Sequence, residues 1–396
     1  VEPKRQRTPR HAGLFEVSVA TITALAIAMF TAGCSPSEAQ LRAVSYAPVQ
    51  RTDWPVSTPG AEGVDPLLVA EFFYDGAELS TLYGLLVIKN DKLIAEKYYN
   101  GSSVDGFNDR MSTTKSFMSA LYGIALQKGC IKSLDQKMVD FFPEQAATLG
   151  DPRKSQITLR HLLQMRAGYP WESNEPTYFH ALFLTENWHW LPHISDFPLF
   201  HSPGTAYGYS NLTSHIAGVA LARACDTDLM TFGQRELFKP MGAEISQWHK
   251  DADGYYFGHF GLFTTARDMA KFGKLYLHEG EFDGKRLLPA EWVRASFRRY
   301  STDINWTGWI SSELGSYFED LGYGYQWWSA KVGEHSVDFA WGHGGQLIVL
   351  VHDLDMVVVS VADPLYELPG EGAWEYEGAV IDVVGKFIAS LPKGGS

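Results

Sequence analysis

The sequence predicts an α+β fold: an antiparallel sheet flanked by helices and built from both chain ends, with a mostly helical part inserted between them. Three observations predict it. Strand-like runs occupy residues 83–99, helical patterns and long loops fill the stretch from Ser112 to about Phe297, and strand-like runs return after about Leu321. A chain of 396 residues can bury a substantial core as one large or two intertwined domains. The expected division is 61–110 with 316–396 for the sheet part and 111–315 for the helical part.

Taken in order, the N-terminus does not read as part of the fold. Lys4, Arg5, Arg7 and Arg10 precede an apolar run from Val17 to Phe30, and Thr31-Ala32-Gly33-Cys34 follows. Residues 1–33 read as a secretory signal. The small residues before Cys34 resemble a bacterial lipobox, which implies cleavage there and lipidation of Cys34. An uncleaved single span is the alternative, but the run is short against the about 20 residues a bilayer needs. Residues 34–60, rich in Ser, Pro, Ala and Gln without apolar periodicity, read as a tether. The expected location is the cell envelope, on the periplasmic side or cell surface, with membrane contact only through the lipid.

Asp65-Pro66 starts a helix to about Tyr74, by the capping Asp and the Pro behind it. Tyr83–Lys89 and Leu93–Tyr99 flank Asn90-Asp91-Lys92 as a β-hairpin. Helical patterns follow Ser112 and recur at Thr158–Met165, Leu212–Val219 and Ala266–Tyr276. Strands are expected at Tyr325–Ser329, Val337–Trp341, Leu347–His352 and Met356–Ala362, and a last helix from about Glu375 to Ala389.

Without residues 1–33, which hold four basic and two acidic side chains, the net charge moves from −13 to about −15. That argues against nucleic acid and against attraction to anionic headgroups. The 14% aromatic share concentrates in 169–209 and 298–328, where it packs a core or walls a cleft. Cys130 and Cys225 could pair in an oxidising envelope, but sequence does not fix their separation. No metal-spaced His/Glu cluster, phosphate loop or dinucleotide fingerprint occurs, so no cofactor is expected. Oligomeric state is left open.

The chemistry lies in three short patterns. Ser112-Thr113-Thr114-Lys115 heads the apolar run Ser116–Leu126. Positions i and i+3 share a helix face, so Lys115 can reach the Ser112 hydroxyl and take its proton. Helix-start N–H groups favour an oxyanion nearby. The bland alternatives are a helix cap for Ser112 and a solvated lysine for Lys115; the apolar run argues for burial, which lowers a lysine pKa. Tyr209-Ser210-Asn211 follows Ser202-Pro203-Gly204-Thr205 and opens another helix. His343-Gly344-Gly345 lies between strand-like runs.

In this order the patterns resemble the serine β-lactamase-related family, which includes class C β-lactamases, D-alanyl-D-alanine peptidases, esterases and nylon-oligomer hydrolases. Further matching stretches are Gly261–Met269, Leu288–Val293, Gly322–Trp328 and Trp341–Gln346, and the resemblance spans roughly Leu82 to Leu391. It implies a β-lactamase/transpeptidase-like fold with the site at the junction of the two parts. It makes Ser112 the nucleophile, Lys115 and Tyr209 the proton carriers, and Asn211 a partner of Lys115 or of the substrate carbonyl. Tyr207 is the competing tyrosine, and a helix cap is the alternative for Asn211. The Ser112 N–H implies one oxyanion donor; the second is the N–H of His343 or of Gln346, depending on register. Tyr169, Trp171, Glu172 and His259 are further contact candidates, with structural placement equally open.

The family's Lys-Thr-Gly or His-Thr-Gly is here His343-Gly344-Gly345. The missing lysine weakens recognition of a substrate carboxylate, so an ester or linear amide is the expected substrate. The alternatives are a peptidoglycan D,D-peptidase or β-lactamase, and a silent envelope binding lipoprotein.

Overall fold

The structure is a computed structural model, and it describes residues 35–184, 188–302, 304, 314–366 and 373–394. The expected signal and Cys34 lie outside the described residues. Helix α1 (Glu38–Arg42) starts from a Ser37 capping box. Helix α2 (Pro66–Gly76) starts at Asp65, whose carboxylate accepts the Leu67 N–H at 2.8 Å, with Pro66 in the first turn. Strands β1 (Leu82–Lys89) and β2 (Lys92–Tyr98) then form the expected hairpin. Its two-residue turn holds Asn90 and Asp91 at φ 50° and 62°, the positive values that a type I′ turn needs.

The tether expectation is corrected here. Val49 N–H donates to the Glu96 carboxylate (2.8 Å), Glu96 N–H to Tyr46 O (2.9 Å) and Leu93 N–H to Pro55 O (2.9 Å). Arg267 clamps the segment through Val49 O, Asp53 and Glu96, and Trp54 is buried. The physical reason is that β2 is an edge strand, whose outward backbone groups need partners. A segment with no apolar period of its own can supply them.

Beyond the hairpin come α3 (Thr114–Lys128), α4 (Asn211–Ala224) and α5 (Ala266–Leu277). Cys130 and Cys225, at the C-terminal ends of α3 and α4, are joined by a disulfide with a Cα–Cα distance of 5.0 Å. Five further strands of the main sheet are β3 (Phe318–Tyr323), β4 (Trp328–Val332), β5 (His335–Gly342), β6 (Gln346–Val351) and β7 (Met356–Ala362). The last helix is α6 (Ala373–Ser390).

These strands form one antiparallel sheet in the order β2-β1-β7-β6-β5-β4-β3, so the N-terminal hairpin closes onto the last strand. Both faces are buried. On β6, Ile348 and Leu350 join the core beneath α3 and α5, while Leu347, Val349 and Val351 join the opposite core beneath α2 and α6. Phe72 of α2 stacks on Phe387 of α6 at 4.5 Å. Across the sheet, a Cβ on Gly273 of α5 would lie 2.6 Å from Val357, so only glycine permits that approach.

The expected strand at Tyr325–Ser329 is corrected. Tyr325 and Gln326 form a bend with Gln326 at φ 58°, and the pairing lies on either side, in β3 and β4. The buried Gln326 amide explains this. It donates to Leu162 O (3.1 Å) and Leu163 O (3.2 Å) and accepts from Ser214 (2.9 Å), tying the sheet to the helical part. Strand β3 was not visible in sequence because Glu319, Asp320 and Gly322 interrupt its apolar pattern at a sheet edge.

Candidate active site

Ser112 does not open α3 directly. It sits in the 3₁₀ turn Met111–Thr113 just before it. Met111 is held at φ 46°, a region costing a non-glycine residue about 1–3 kcal/mol. The constraint is visible: one Asp109 carboxylate oxygen accepts both the Met111 N–H (2.7 Å) and the Gly261 N–H (2.9 Å). Burial pushes the Asp109 carboxyl up, against the pull of these donors. Next in the chain, the buried Arg110 guanidinium donates to Thr264 O (2.9 Å) and Gln346 Oε1 (3.1 Å). Burial pushes Arg110 down to about 10. The end of β5 reaches the same place: a Cβ on Gly342 would lie 2.5 Å from Arg110 O and 3.1 Å from Ser112 N. The Ser112 turn therefore lies against β5 backbone, where a glycine permits it.

Lys115 is buried one turn into this arrangement. Its Nζ lies 2.8 Å from Ser112 Oγ, donates to Asn211 Oδ1 (2.8 Å) and to His259 O (3.1 Å), and stands 4.8 Å from the Tyr209 ring centroid. Burial pushes the amine well below its ordinary value; the Glu172 charge opposes this weakly.

Tyr209 is fixed by aromatic packing against Trp171 (5.2 Å), Trp328 (5.7 Å) and Tyr323 (6.4 Å). Ser210, not Asn211, caps α4: its Oγ accepts the Thr213 N–H at 3.1 Å. That leaves the Asn211 side chain for Lys115. Glu172 is buried at the same helix start, accepting from Ser210 Oγ (2.7 Å), Leu212 N–H (3.0 Å) and Asn211 N–H (3.1 Å). Burial pushes its carboxyl up although the helix N–H groups pull it down. Tyr207 packs against the same two rings, Tyr323 (5.2 Å) and Trp328 (6.2 Å), and burial pushes its hydroxyl well up.

In the third pattern both glycine amides are occupied within the protein. The Gly344 N–H donates to Glu377 Oε2 (3.0 Å) and the Gly345 N–H to Gly342 O (3.2 Å), so neither amide is turned to a substrate. The two second-donor candidates remain the N–H groups of His343 and Gln346. The Gln346 side chain is buried, accepting from Arg110 and donating to Ala362 O (2.5 Å), so it builds the sheet rather than facing a ligand. His343 Nδ1 lies 2.6 Å from Glu377 Oε2.

Of the other candidates, Tyr169 is a core residue whose hydroxyl donates to Ile194 O at 2.8 Å. Trp171 serves as a wall of the Tyr209 ring. His259 contributes its carbonyl to Lys115, while its ring is buried and stacked on Trp190 at 4.4 Å. Sequence reasoning missed Asp109, Arg110 and Glu377. The first two directly precede the Ser112 pattern and could have been weighed there; Glu377 sits 34 positions beyond His343 with no local signal. Among the described residues no group of His, Cys, Asp and Glu is placed to hold a metal ion.

Comparison with known proteins agrees with this fold. No curated protein sequence matches the chain. Among solved structures, it is similar to a Bacillus anthracis protein provisionally described as a 6-aminohexanoate-dimer hydrolase, at 17% identity and TM-score 0.62, covering 89% of this chain and 90% of that one. It is similar to EstCE1, a hydrolase with promiscuous acyltransferase activity, at 14% identity and TM-score 0.61, covering 80% and 97%. A penicillin-binding protein homologue from Caulobacter crescentus aligns at 14% identity and TM-score 0.59, covering 81% and 96%. These likenesses establish the β-lactamase/transpeptidase-like fold. The Beta-lactamase family model matches residues 83–377, most of the chain, and the chain therefore belongs to the β-lactamase family of hydrolases.

Proposed function

We propose that the chain hydrolyses esters or linear amides through an acyl-enzyme on Ser112. The observation that carries this is the buried Lys115 Nζ, 2.8 Å from Ser112 Oγ and bound to two fixed carbonyl oxygens, Asn211 Oδ1 and His259 O. A neutral amine has two hydrogens and one lone pair. With both hydrogens on those oxygens, the lone pair is left for the Ser112 O–H. Tyr209, beside Nζ, shares the proton: the hydroxyl proton leaves Ser112 as Oγ bonds the substrate carbonyl carbon. The tetrahedral oxyanion takes hydrogen bonds from the Ser112 N–H and a second amide of the β5–β6 turn. The Lys115–Tyr209 pair returns the proton to the leaving oxygen or nitrogen. A water then gives its proton to the same pair and attacks the acyl carbon, restoring Ser112.

The substrate class follows from His343-Gly344-Gly345, which offers no lysine to a substrate carboxylate. The descriptions of the Bacillus anthracis and EstCE1 proteins support the same direction. A four-substrate panel tests it: a short-chain nitrophenyl ester, a linear aminohexanoate dimer, a chromogenic cephalosporin and a D-alanyl-D-alanine peptide. The expected result is highest kcat/KM on the ester or the linear amide; faster cephalosporin turnover would refute it. We further propose export and lipid anchoring at Cys34, checked by whether Cys34→Ser leaves the precursor uncleaved.

A further inference from the structure

We propose that Glu377 is a positioning residue for this site and that, through His343, it makes the site select against substrates that bring a carboxylate to the β5–β6 turn. The inference rests on the Ser112 reading above. Glu377 lies on α6, far from the three sequence patterns, and its side chain is buried. One carboxylate oxygen accepts the Trp341 Nε1–H at 2.6 Å; the other accepts the Gly344 N–H at 3.0 Å and faces His343 Nδ1 at 2.6 Å. Three groups, Trp341 at the end of β5 and His343 and Gly344 in the turn, thus converge on a single carboxylate, an acceptor-only group that matches three donors.

Two consequences follow. First, the turn that continues from Gly342, the residue packed against Ser112 N, is anchored to α6 rather than left to be ordered by a substrate. Glu377 acts on the reaction through this backbone and has no described contact with Ser112. Second, the turn offers no unpaired cation. When Nδ1 carries the proton shared with Glu377, the ring is neutral and brings no positive charge to the turn. When the ring is charged, its charge is already paired with the carboxylate, which is its ion-pair partner among the described residues. A substrate carboxylate at this turn meets a buried negative charge behind His343, and like charges brought together at a desolvated contact are a strong discriminator.

The test uses two esters identical except for one charge, phenyl acetate and 3-acetoxybenzoate, with the wild-type protein, Glu377→Gln and His343→Lys. The readout is the ratio of kcat/KM for the anionic ester to that for the neutral one, so general damage to the site cancels. Glu377→Gln is expected to raise the ratio about tenfold, largely through KM of the anionic ester. His343→Lys keeps a cation paired with Glu377 and is expected to leave the ratio within threefold of wild type. A Glu377→Gln ratio within threefold of wild type, in protein that melts normally and still takes a serine-directed phosphonate at Ser112, overturns the proposal. Should Glu377→Gln fail to fold, His343→Lys decides: a ratio raised more than threefold shows that Glu377 does not neutralise a cation at this position and overturns the proposal. A wild-type protein that takes no label at Ser112 overturns the Ser112 reading and this inference with it; an unchanged Glu377→Gln ratio with labelling intact overturns this inference alone.

Discussion

The junction of α3 and α4 and the turn between β5 and β6 both border Ser112 but are built by opposite means. At the helix junction the chemistry-bearing side chains touch one another: Lys115 reaches Ser112 across one helical turn and Asn211 from the neighbouring helix. At the turn, the residues named by the sequence pattern are occupied elsewhere: Gly344 with Glu377, Gly345 with Gly342, and Gln346 with Arg110 and Ala362. A motif whose partners share a helix face can be read from spacing. One whose partners come from a distant element shows only that the backbone must bend there.

The comparison can be broken most severely at Lys115. Lys115→Ala is expected to lower kcat/KM on an ester by about 10³-fold or more, since in the proposed mechanism it removes the base rather than a supporting contact. The wild-type pH profile checks the same point. Burial favours the neutral amine, so the folded-state value lies below the ~10.4 of an exposed lysine. Activity should therefore rise with pH through an inflection below that value and be lost as pH falls beneath it. By the same sign, protonating Lys115 opposes folding, so its contribution to stability is full above ~10.4 and declines on acidification. An inflection at the ordinary lysine value would contradict the burial argument.

Tyr209→Phe keeps the ring between Trp171 and Trp328 and removes only the hydroxyl. A fall in kcat of about 10²–10⁴-fold with little change in melting temperature is expected. Tyr207→Phe should be close to neutral for turnover; the reverse pattern would move the second motif by two residues. Smaller is Asp109→Ala, which leaves two N–H groups without their acceptor beside a residue at positive φ. It should lower stability by about 1–3 kcal/mol and kcat by up to about 10²-fold, through misplacement of Ser112. The smallest effect on turnover belongs to the paired variant Cys130→Ser with Cys225→Ser. The bridge lies at the far ends of α3 and α4, so kcat should hold while stability falls by about 2–4 kcal/mol.

The layout of the fold was legible because strand runs and helical periods segregate along the chain, and the hairpin turn Asn90-Asp91 carries its own signal. Strand β3 was hidden by Glu319, Asp320 and Gly322 at an exposed edge, and Gln326 was misread because a buried amide network overrides local strand propensity. The docking of residues 46–57 was invisible for a related reason: it is carried by backbone bonds to β2 and by the distant Arg267. Within the candidate site, the contact of Lys115 with Ser112 was legible from spacing, and the gathering of Tyr209 and Asn211 beside it from the resemblance. Tyr169, open between ligand contact and structural placement, spends its hydroxyl on Ile194 O, and the side chain of Gln346, a candidate through its backbone N–H, is spent on Arg110 and Ala362 O. No one-dimensional pattern distinguishes a polar side chain aimed at a ligand from one aimed at buried main chain.

The most direct measurement is covalent labelling of Ser112. A serine-directed phosphonate should add its mass to the single peptide containing Ser112, stop ester turnover as it does so, and add nothing to Ser112→Ala. Label on another serine, or ester turnover undiminished in Ser112→Ala, would contradict an acyl-enzyme built on the Ser112–Lys115 contact.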